Sequence, residues 1–377
     1  MPGILDRYIL WMFVKVLGIM FLSLTGLYVV IDAFANLEEF ITHGQDQGMF
    51  AILADYYGPR VLQFFDRMGP VIVLLSAISA ITWLLQRNEL TAIMAGGVSK
   101  GRVIQPLIYA AIAISFLSII NRELWIPQVR HKLTRNAQDW HGDQNKTLKP
   151  TYDYRTDVYI GGRQTIARER KIVGPHFRLP SSMSEFGSQL AAETAVYQGR
   201  SPHHPPGYLL DNVVTPSDLE DCPSVPRTGE PVVISPRDAK WLKPRQVFVV
   251  SDVSFEQLAG GNYWRQLGST KELMAHLRNP SLDLGSDARV TLHARLVQPL
   301  LDLTLFILGL PLVLSQTNRN LFVSASMSLA MLVGFFAVVM TCHALGSNHF
   351  ISPAFSAWLP LMILSPAAYA NIVPLWR

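Results

Sequence analysis

The chain has 377 residues, of which 49% are hydrophobic and 16% charged, and its formal net charge is +4. Soluble globular chains have about 25% charged residues, so this composition excludes an ordinary soluble domain. Cys222 and Cys342 are predicted to lie in different parts of the protein, so we expect neither a disulfide framework nor a thiolate metal site.

Six apolar runs have the length of membrane spans, because a membrane helix needs roughly 17 to 25 apolar residues. They cover residues 11–31, 68–85, 103–120, 296–315, 321–345 and 351–373. The first run is longer than the apolar region of a signal peptide, which has about 7 to 15 residues, and no small-residue cleavage site follows it. We therefore predict a multi-pass membrane protein in which the first run is a true span.

The distribution of basic residues predicts the orientation, because Lys and Arg accumulate in cytoplasmic loops. Residues 32–67, which are predicted to form the loop after the first span, are mainly acidic, and Arg60 and Arg67 are their only Lys or Arg residues. The basic residues at the chain ends and after the second and fourth spans are Arg7, Arg87, Lys100, Arg102, Arg319 and Arg377. Both termini are therefore predicted to be cytoplasmic.

The segment 86–102, QRNELTAIMAGGVSKGR, lies between the second and third spans. Leu90, Ile93, Met94 and Val98 recur at helical spacing and would give a short helix one apolar face. Such a face predicts a coupling helix that binds a cytoplasmic partner.

Catalytic motifs are missing from the sequence. Gly96 and Gly101 have the separation of a phosphate-binding loop, but Arg102 and Val103 stand where Lys and Ser or Thr are required. The sequence contains no Gly-x-Ser-x-Gly or His-Glu-x-x-His motif. We expect no enzyme activity and no cofactor in this chain.

Residues 121–290 separate the third and fourth spans and are too numerous for a connection, so we predict a domain there. It would divide spans one to three, within 1–120, from spans four to six, within 291–377. Segments 123–140 and 270–277 are predicted to be helical. Six β-rich runs separated by Gly and Pro indicate an antiparallel sandwich or roll: 157–160, 164–167, 194–197, 208–214, 232–234 and 246–253.

The central domain offers little evidence of a ligand. Its basic character would suit an anionic lipid or glycan, although a solvated surface of mixed charge is the simpler interpretation. His203 and His204 have no acidic or Cys partner at ligand spacing, so they do not predict a metal site. We expect no nucleic-acid partner.

Asp302 and His343 are ionisable residues within predicted spans, where such residues are often functional. They could pair, line a wet cavity or contact a polar head group. They could also lie near the interface and bond a neighbouring helix.

Several segments resemble the LptF/LptG permeases, the membrane subunits of the ABC machine that extracts lipopolysaccharide from the bacterial inner membrane. They are the opening LDRYI at 5–9, which is closer to the LptG form, the segment 86–102, ELWIPQ at 123–128, Pro299 and Leu300, and LGLPLVL at 308–314. The order of the spans and the position of the inserted domain are similar too, so the resemblance extends over almost the whole chain.

The resemblance implies an α+β membrane protein with three spans, a periplasmic β-jellyroll-like domain and three more spans. It implies a heterodimer with a related permease on a dimer of cytoplasmic ABC ATPases, which would hold ATP and magnesium. Closure of the ATPases would move the coupling helices and collapse a cavity between the permeases. Lipopolysaccharide or a related glycolipid would then pass to a periplasmic bridge protein.

The resemblance also implies site residues. Glu89 would be a polar anchor, and Leu90, Met94 and Val98 an apolar knob in the ATPase groove. The full ATPase-coupling set is Arg87, Glu89, Leu90, Met94, Gly97 and Val98. The lipid cavity would be lined by Tyr28, Phe34, Leu332, Phe335 and Phe336. Asp302 and His343 join this candidate set because they are ionisable residues within predicted spans.

One feature departs from the family. Permeases of the LptG kind have a lysine near the outer end of the first span that meets the phosphates of the lipid, whereas residues 27–30 here are Leu, Tyr, Val and Val. Either the cargo has fewer phosphates, or the basic groups come from Arg60, Arg67 or the partner subunit.

Three other functions use some of the same features. A membrane sensor or scaffold would need the same amphipathic helix and a ligand-binding outer domain. An ABC permease could carry another lipid, a lipoprotein or a peptide. A proton-driven transporter would use Asp302 and His343, but the sequence lacks the internal repeat common in such proteins.

Overall fold

A computed structural model describes residues 3–134, 146–166, 169–181, 187–201, 204–217, 219, 222–227, 230–259, 263–314 and 321–375. The chain divides into two compact units. One consists of residues 1–130 and 285–377, and the other of residues 131–284. Arg319, Arg377, His203 and Trp140, the last residue of the predicted helix 123–140, lie outside the described residues.

The first part of the chain is helical. Two prolines, Pro59 and Pro70, lie inside its longest helix, and a π-helical turn, Asn121–Trp125, follows the fifth helix. The helices are α1 (Ile4–Ala35), α2 (Leu37–Gln47), α3 (Met49–Gln86), α4 (Glu89–Ala95), α5 (Lys100–Ile120) and α6 (Ile126–Leu133).

Helical structure extends through a region expected to be a loop. The segment 32–67 contains the end of α1, all of α2 and the first half of α3. Its position between two apolar runs predicts a loop, but its aromatic residues pack together. Phe40 lies 5.1 Å from Tyr56 between ring centroids, and the Tyr57 hydroxyl donates to Asp32 at 2.8 Å. These contacts between α1, α2 and α3 explain why the helices continue beyond the apolar run.

The second unit contains one curled antiparallel sheet. Among the described residues its strand order is β1-β3-β4-β5-β6-β9-β8-β7, and β2 also pairs with β3. The strands are β1 (Lys146–Thr147), β2 (Thr151–Asp153), β3 (Val158–Ile166), β4 (Lys171–Arg178), β5 (Gln189–Gln198), β6 (Gly207–Thr215), β7 (Val225–Arg227), β8 (Glu230–Ile234) and β9 (Val247–Val250). Three short helices follow: α7 (Phe255–Ala259), α8 (Tyr263–Leu267) and α9 (Thr270–Leu277).

The sheet differs from the sequence prediction at its glycines. Strand β3 joins the predicted runs 157–160 and 164–167 across Gly161 and Gly162. Gly161 permits a close approach of β4, because a Cβ there would lie 2.5 Å from His176 Nε2 on β4. Strand β4 contains Gly174 and Pro175, which read as breakers in the sequence. The predicted helix 270–277 is confirmed as α9, where Ser269 and Glu272 form a capping box.

The last part of the chain returns to the helical unit as α10 (Gly285–Leu314), α11 (Leu321–Ser347) and α12 (Pro353–Ile372). Six helices in the described residues are long and apolar enough to cross a membrane: α1, α3, α5 with its continuation, α10, α11 and α12. Gly309 permits close packing, because a Cβ there would lie 2.5 Å from Leu74 Cδ1. Six apolar helices with an inserted antiparallel β domain confirm the predicted fold class.

Candidate functional site

Helix α4 is a seven-residue helix held between two sharp changes of chain direction. Asn88 precedes it with a φ of 60°, and Gly97 follows it with a φ of 85°. The Gly97 amide donates to the Met94 carbonyl at 3.0 Å, and the Val98 amide donates to the Ile93 carbonyl at 3.4 Å. This pair of bonds is a Schellman ending, which needs a left-handed residue and therefore favours glycine. Gly97 thus has a structural role in the predicted coupling set.

The position of Leu90 differs from the prediction that Leu90, Met94 and Val98 together enter the groove of an ATPase. Its side chain is 1% exposed and belongs to the core of the helical unit, and Val98 packs against the same core. The apolar face of α4 is therefore used largely by the chain itself. Helical spacing identified that face but could not say which protein covers it.

Met94 is the large apolar residue of α4 that is accessible, with 36% of its surface exposed. Its neighbours Thr91, Ala92 and Ala95 are exposed as well. Arg87 lies at the start of this surface, with its guanidinium 4.2 Å from the Trp83 ring centroid. We call Arg87, Thr91, Ala92, Met94 and Ala95 the α4 surface.

Glu89, the predicted polar anchor, is bound by the start of α1. The Tyr8 hydroxyl donates a hydrogen bond of 2.6 Å to Glu89 Oε2. A short bond between a phenol and a carboxylate is among the stronger side-chain hydrogen bonds. The first residue of α4 is therefore attached to a helix that lies far away in the sequence.

A second bond joins α1 to the residues after α4. Arg102 Nη2 lies 2.8 Å from Asp6 Oδ2. Arg102 Nη1 also donates to Gln105 at 2.8 Å, and the Gly3 amide donates to Asp6 Oδ2 at 2.9 Å. We call the pairs Tyr8–Glu89 and Asp6–Arg102 the α1 clamp. Sequence reasoning used the LDRYI segment only as a mark of resemblance and missed these contacts.

The predicted lipid-cavity residues do not form one surface within this chain. Tyr28 stacks on Phe64 of α3, with ring centroids 5.6 Å apart, whereas Phe34 is 71% exposed. Leu332 and Phe335 are buried in the core of the helical unit, and Phe336 packs against that core. His343 is half-buried, and its Nε2 atom makes no hydrogen bond to any described residue.

Helix packing explains this separation. Helix α1 packs on α3 and α5, while α11 packs on α10 and α12. In the most apolar window of each helix, 6% of the residues are buried in α1 and 22% in α11, against 61% in α3. The helices α1 and α11 therefore present large apolar surfaces that the described residues of this chain do not cover.

Asp302 lies in a small cavity between α3, α5 and α10. The cavity has a volume of about 20 Å³, enough for one water molecule. Its polar residues are Ser115, Ser118 and Asp302, and Gln298 Nε2 donates to Asp302 Oδ1 at 2.9 Å. The Ser115 hydroxyl is buried and has no hydrogen-bond partner among the described residues. Asp302 is thus enclosed by its own chain, separate from Phe34.

Metal binding gains no support from the described residues, which contain no cluster of three His, Cys, Asp or Glu side chains that could hold an ion. His204 stacks on Trp241, with ring centroids 5.4 Å apart. Its ring therefore packs against the domain.

The fold and the α4 site together define a multi-pass membrane protein with an inserted β domain and a short amphipathic helix between its second and third spans. The family model described as "Lipopolysaccharide export system permease LptF/LptG" matches residues 7–155 and 228–374, well over half of the chain. The chain belongs to this family and is a multi-pass inner-membrane protein and transporter subunit. No individual curated protein matches it.

Gly97 provides a test of the α4 ending. Replacement by Ala should destabilise the protein by about 1 to 2 kcal/mol, because residues with a Cβ resist the left-handed conformation. Contact with other parts of the protein is not involved, since a Cβ at Gly97 would have no atom within 4 Å beyond its chain neighbours. Gly97→Asn is the control, because Asn tolerates this conformation better. Thermal unfolding in detergent measures the difference, and equal melting of Ala and Asn variants would contradict the assignment.

Asp302 provides a test of the cavity. Asp302→Ala should lower the free energy of unfolding by about 1 to 3 kcal/mol, because it leaves buried polar groups without a partner. Asp302→Asn keeps an acceptor for Gln298 and should melt close to the wild type. If both variants are as stable as the wild type but export falls, Asp302 acts on the transported molecule or on protons.

Proposed function

We propose that this chain is one permease subunit of an ABC exporter that extracts lipopolysaccharide, or a related glycolipid, from the inner membrane. A cytoplasmic ATPase dimer, which binds ATP and magnesium, would supply the energy. A related permease completes the pair, and a periplasmic bridge protein receives the lipid. The LDRYI opening favours the LptG-like position in the pair.

The observation that carries the proposal is the α4 surface. It combines an exposed methionine with small residues and a flanking arginine, on a helix whose other side is fixed to the bundle. Arg87, Lys100 and Arg102 lie around α4, and such basic loops favour the cytoplasmic side. An amphipathic helix offered there suits docking into the groove of an ATPase.

This docking differs from the initial prediction in its apolar residues. Met94 is the residue available to enter the groove, and Leu90 and Val98 support α4 from behind. Glu89 remains available for a partner, because a carboxylate can accept several hydrogen bonds and Tyr8 uses one. Arg87 would approach acidic groups of the ATPase.

The lipid path would form between two permeases. The apolar surfaces of α1 and α11 are among those left largely uncovered by this chain, and a partner permease would place its own α11 and α1 against them. Tyr28 and Phe34 would then line the cavity from α1, and Phe336 and His343 from α11. The buried Leu332, Phe335 and Asp302 would support these helices.

Basic groups for the lipid phosphates would come from α3. Arg60 and Arg67 are seven residues apart, so they lie on the same face of that helix. The Arg60 guanidinium lies 3.3 Å from the Tyr56 ring centroid, near the Tyr57–Asp32 bond that joins α3 to α1. This arrangement would replace the lysine that family members of the LptG kind have on the first span.

Gentle purification of the tagged protein from its native membrane, followed by mass spectrometry, tests the proposal as a whole. An ATPase, a sister permease and a glycolipid should copurify. Recovery of a signalling partner, or of the chain alone, would instead support a sensor or scaffold. An ATPase with a different lipid or a lipoprotein would change the cargo but keep the exporter.

Met94 tests the docking surface directly. Met94→Asp should lower the amount of copurified ATPase at least about tenfold, because an unpaired carboxylate is costly to bury in an apolar groove. Met274→Asp is a matched control, since Met274 lies on α9 and is 37% exposed against 36% for Met94. Both variants should melt like the wild type.

Leu90→Asp is unsuitable for this purpose, because it would place a charge in the core of the permease. Normal ATPase recovery with Met94→Asp would remove the α4 surface from the docking site.

A further inference from the structure

We propose that the α1 clamp transmits the movement of α4 to α1, so that Tyr8 and Asp6 are positioning residues for transport. The proposal rests on the function proposed above, in which α4 binds an ATPase and α1 lines the lipid cavity. It assigns a task to side chains outside the predicted coupling set.

The two bonds of the clamp lie on either side of α4. Tyr8 binds Glu89, the first residue of α4, and Asp6 binds Arg102, in the first turn of α5. These partners are separated by 81 and 96 residues in the sequence. A displacement of α4 would therefore draw the start of α1 with it, because both sides of the α4 turn are attached to that one helix.

The first turns of α1 are the part of the helix that is bound to α4 and its surroundings. Ile9, Met12 and Phe13 are buried in the same core as Leu90. Beyond Phe13, Thr25 is the one buried residue of α1. The start of α1 is thus attached to the bundle through the clamp and the core, while the remainder contacts α3 along one side through Tyr28 and Asp32 and is otherwise largely uncovered by this chain.

The length of α1 connects this attachment to the proposed cavity. The helix has 32 residues and therefore extends about 48 Å at 1.5 Å per residue. No proline lies between Asp6 and Phe34, so the usual cause of a kink is missing from the sequence of α1. A shift or tilt at Tyr8 would move Tyr28 and Phe34 at the far end.

The chemistry of the clamp suits a contact that transmits movement between helices. Hydrogen bonds to charged groups are about twice as strong as neutral ones and have defined geometry. Glu89 can hold Tyr8 and a basic group of the ATPase at the same time, because its two oxygens accept more than one donor. The carboxylate would then connect the ATPase to α1 through one side chain.

The test uses the full complex with its ATPase and sister permease in proteoliposomes containing purified lipopolysaccharide. The measured quantity is the amount of lipid delivered to the bridge protein per ATP hydrolysed. Tyr8→Phe should lower this ratio about tenfold, the scale set by losing a hydrogen bond to a charged group. ATPase recovery and the melting temperature should stay at wild-type values, which a purely structural role would not predict.

Tyr369→Phe is the matched control, because Tyr369 is also an exposed tyrosine of the helical unit, on α12, and lies outside the clamp. Arg102→Asp should lower the ratio as well, and adding Asp6→Arg should restore part of it by reversing the pair. In a Glu89→Gln background the effect of Tyr8→Phe should shrink, since directly bonded residues are not additive.

The outcomes separate the two proposals. If the wild-type complex holds no ATPase or moves no lipid, the proposed function fails. If the wild type works and Tyr8→Phe leaves the lipid-to-ATP ratio unchanged, the clamp is not a transmission element. If Tyr8→Phe instead releases the ATPase, Tyr8 belongs to the docking site and the inference is overturned.

Discussion

The burial of Leu90 is the interaction on which the α4 site depends. A seven-residue helix has little stability of its own, because helix nucleation is costly and short helices are marginal in water. Leu90 fixes one side of α4 in the core of the helical unit, and Ile93 and Val98 pack against the same core. The opposite side, with Met94, then has a defined orientation. A partner that binds there engages the whole bundle.

The residues around α4 follow from this constraint. Because α4 is held against the bundle, the chain must turn sharply at both of its ends, and Asn88 and Gly97 adopt the left-handed conformations that such turns need. The same closeness brings Glu89 and Arg102 within hydrogen-bond distance of α1. The conformation of Gly97 and the bonds of Glu89 and Arg102 therefore all result from the packing of a short helix at the end of a bundle.

The sequence predicted the features that depend on the apolar solvent and on local signals. Six spans were visible because a membrane helix must be apolar over most of its length. Helix α9 was visible because Thr270, Lys271 and Glu272 resemble the start of a capping box, although the structure places the cap at Ser269. Strand β4 was missed because Gly174 and Pro175 look like breakers, although pairing with β3 and β5 holds them in a strand. Residues 32–67 were misjudged because they lie outside the apolar runs, whereas contacts of Phe40 and Tyr57 hold them in helices.

The functional surface was only half predictable for a different physical reason. Helical spacing shows that Leu90, Met94 and Val98 share a face, but covering that face is a matter of tertiary structure. In this chain the covering is divided, with Leu90 inside and Met94 outside. A similar division affects the cavity residues, since Leu332 and Phe335 are buried while Phe34 is exposed. Apolar residues in a membrane protein serve its own core, the lipid and its partners alike, so composition alone cannot assign them.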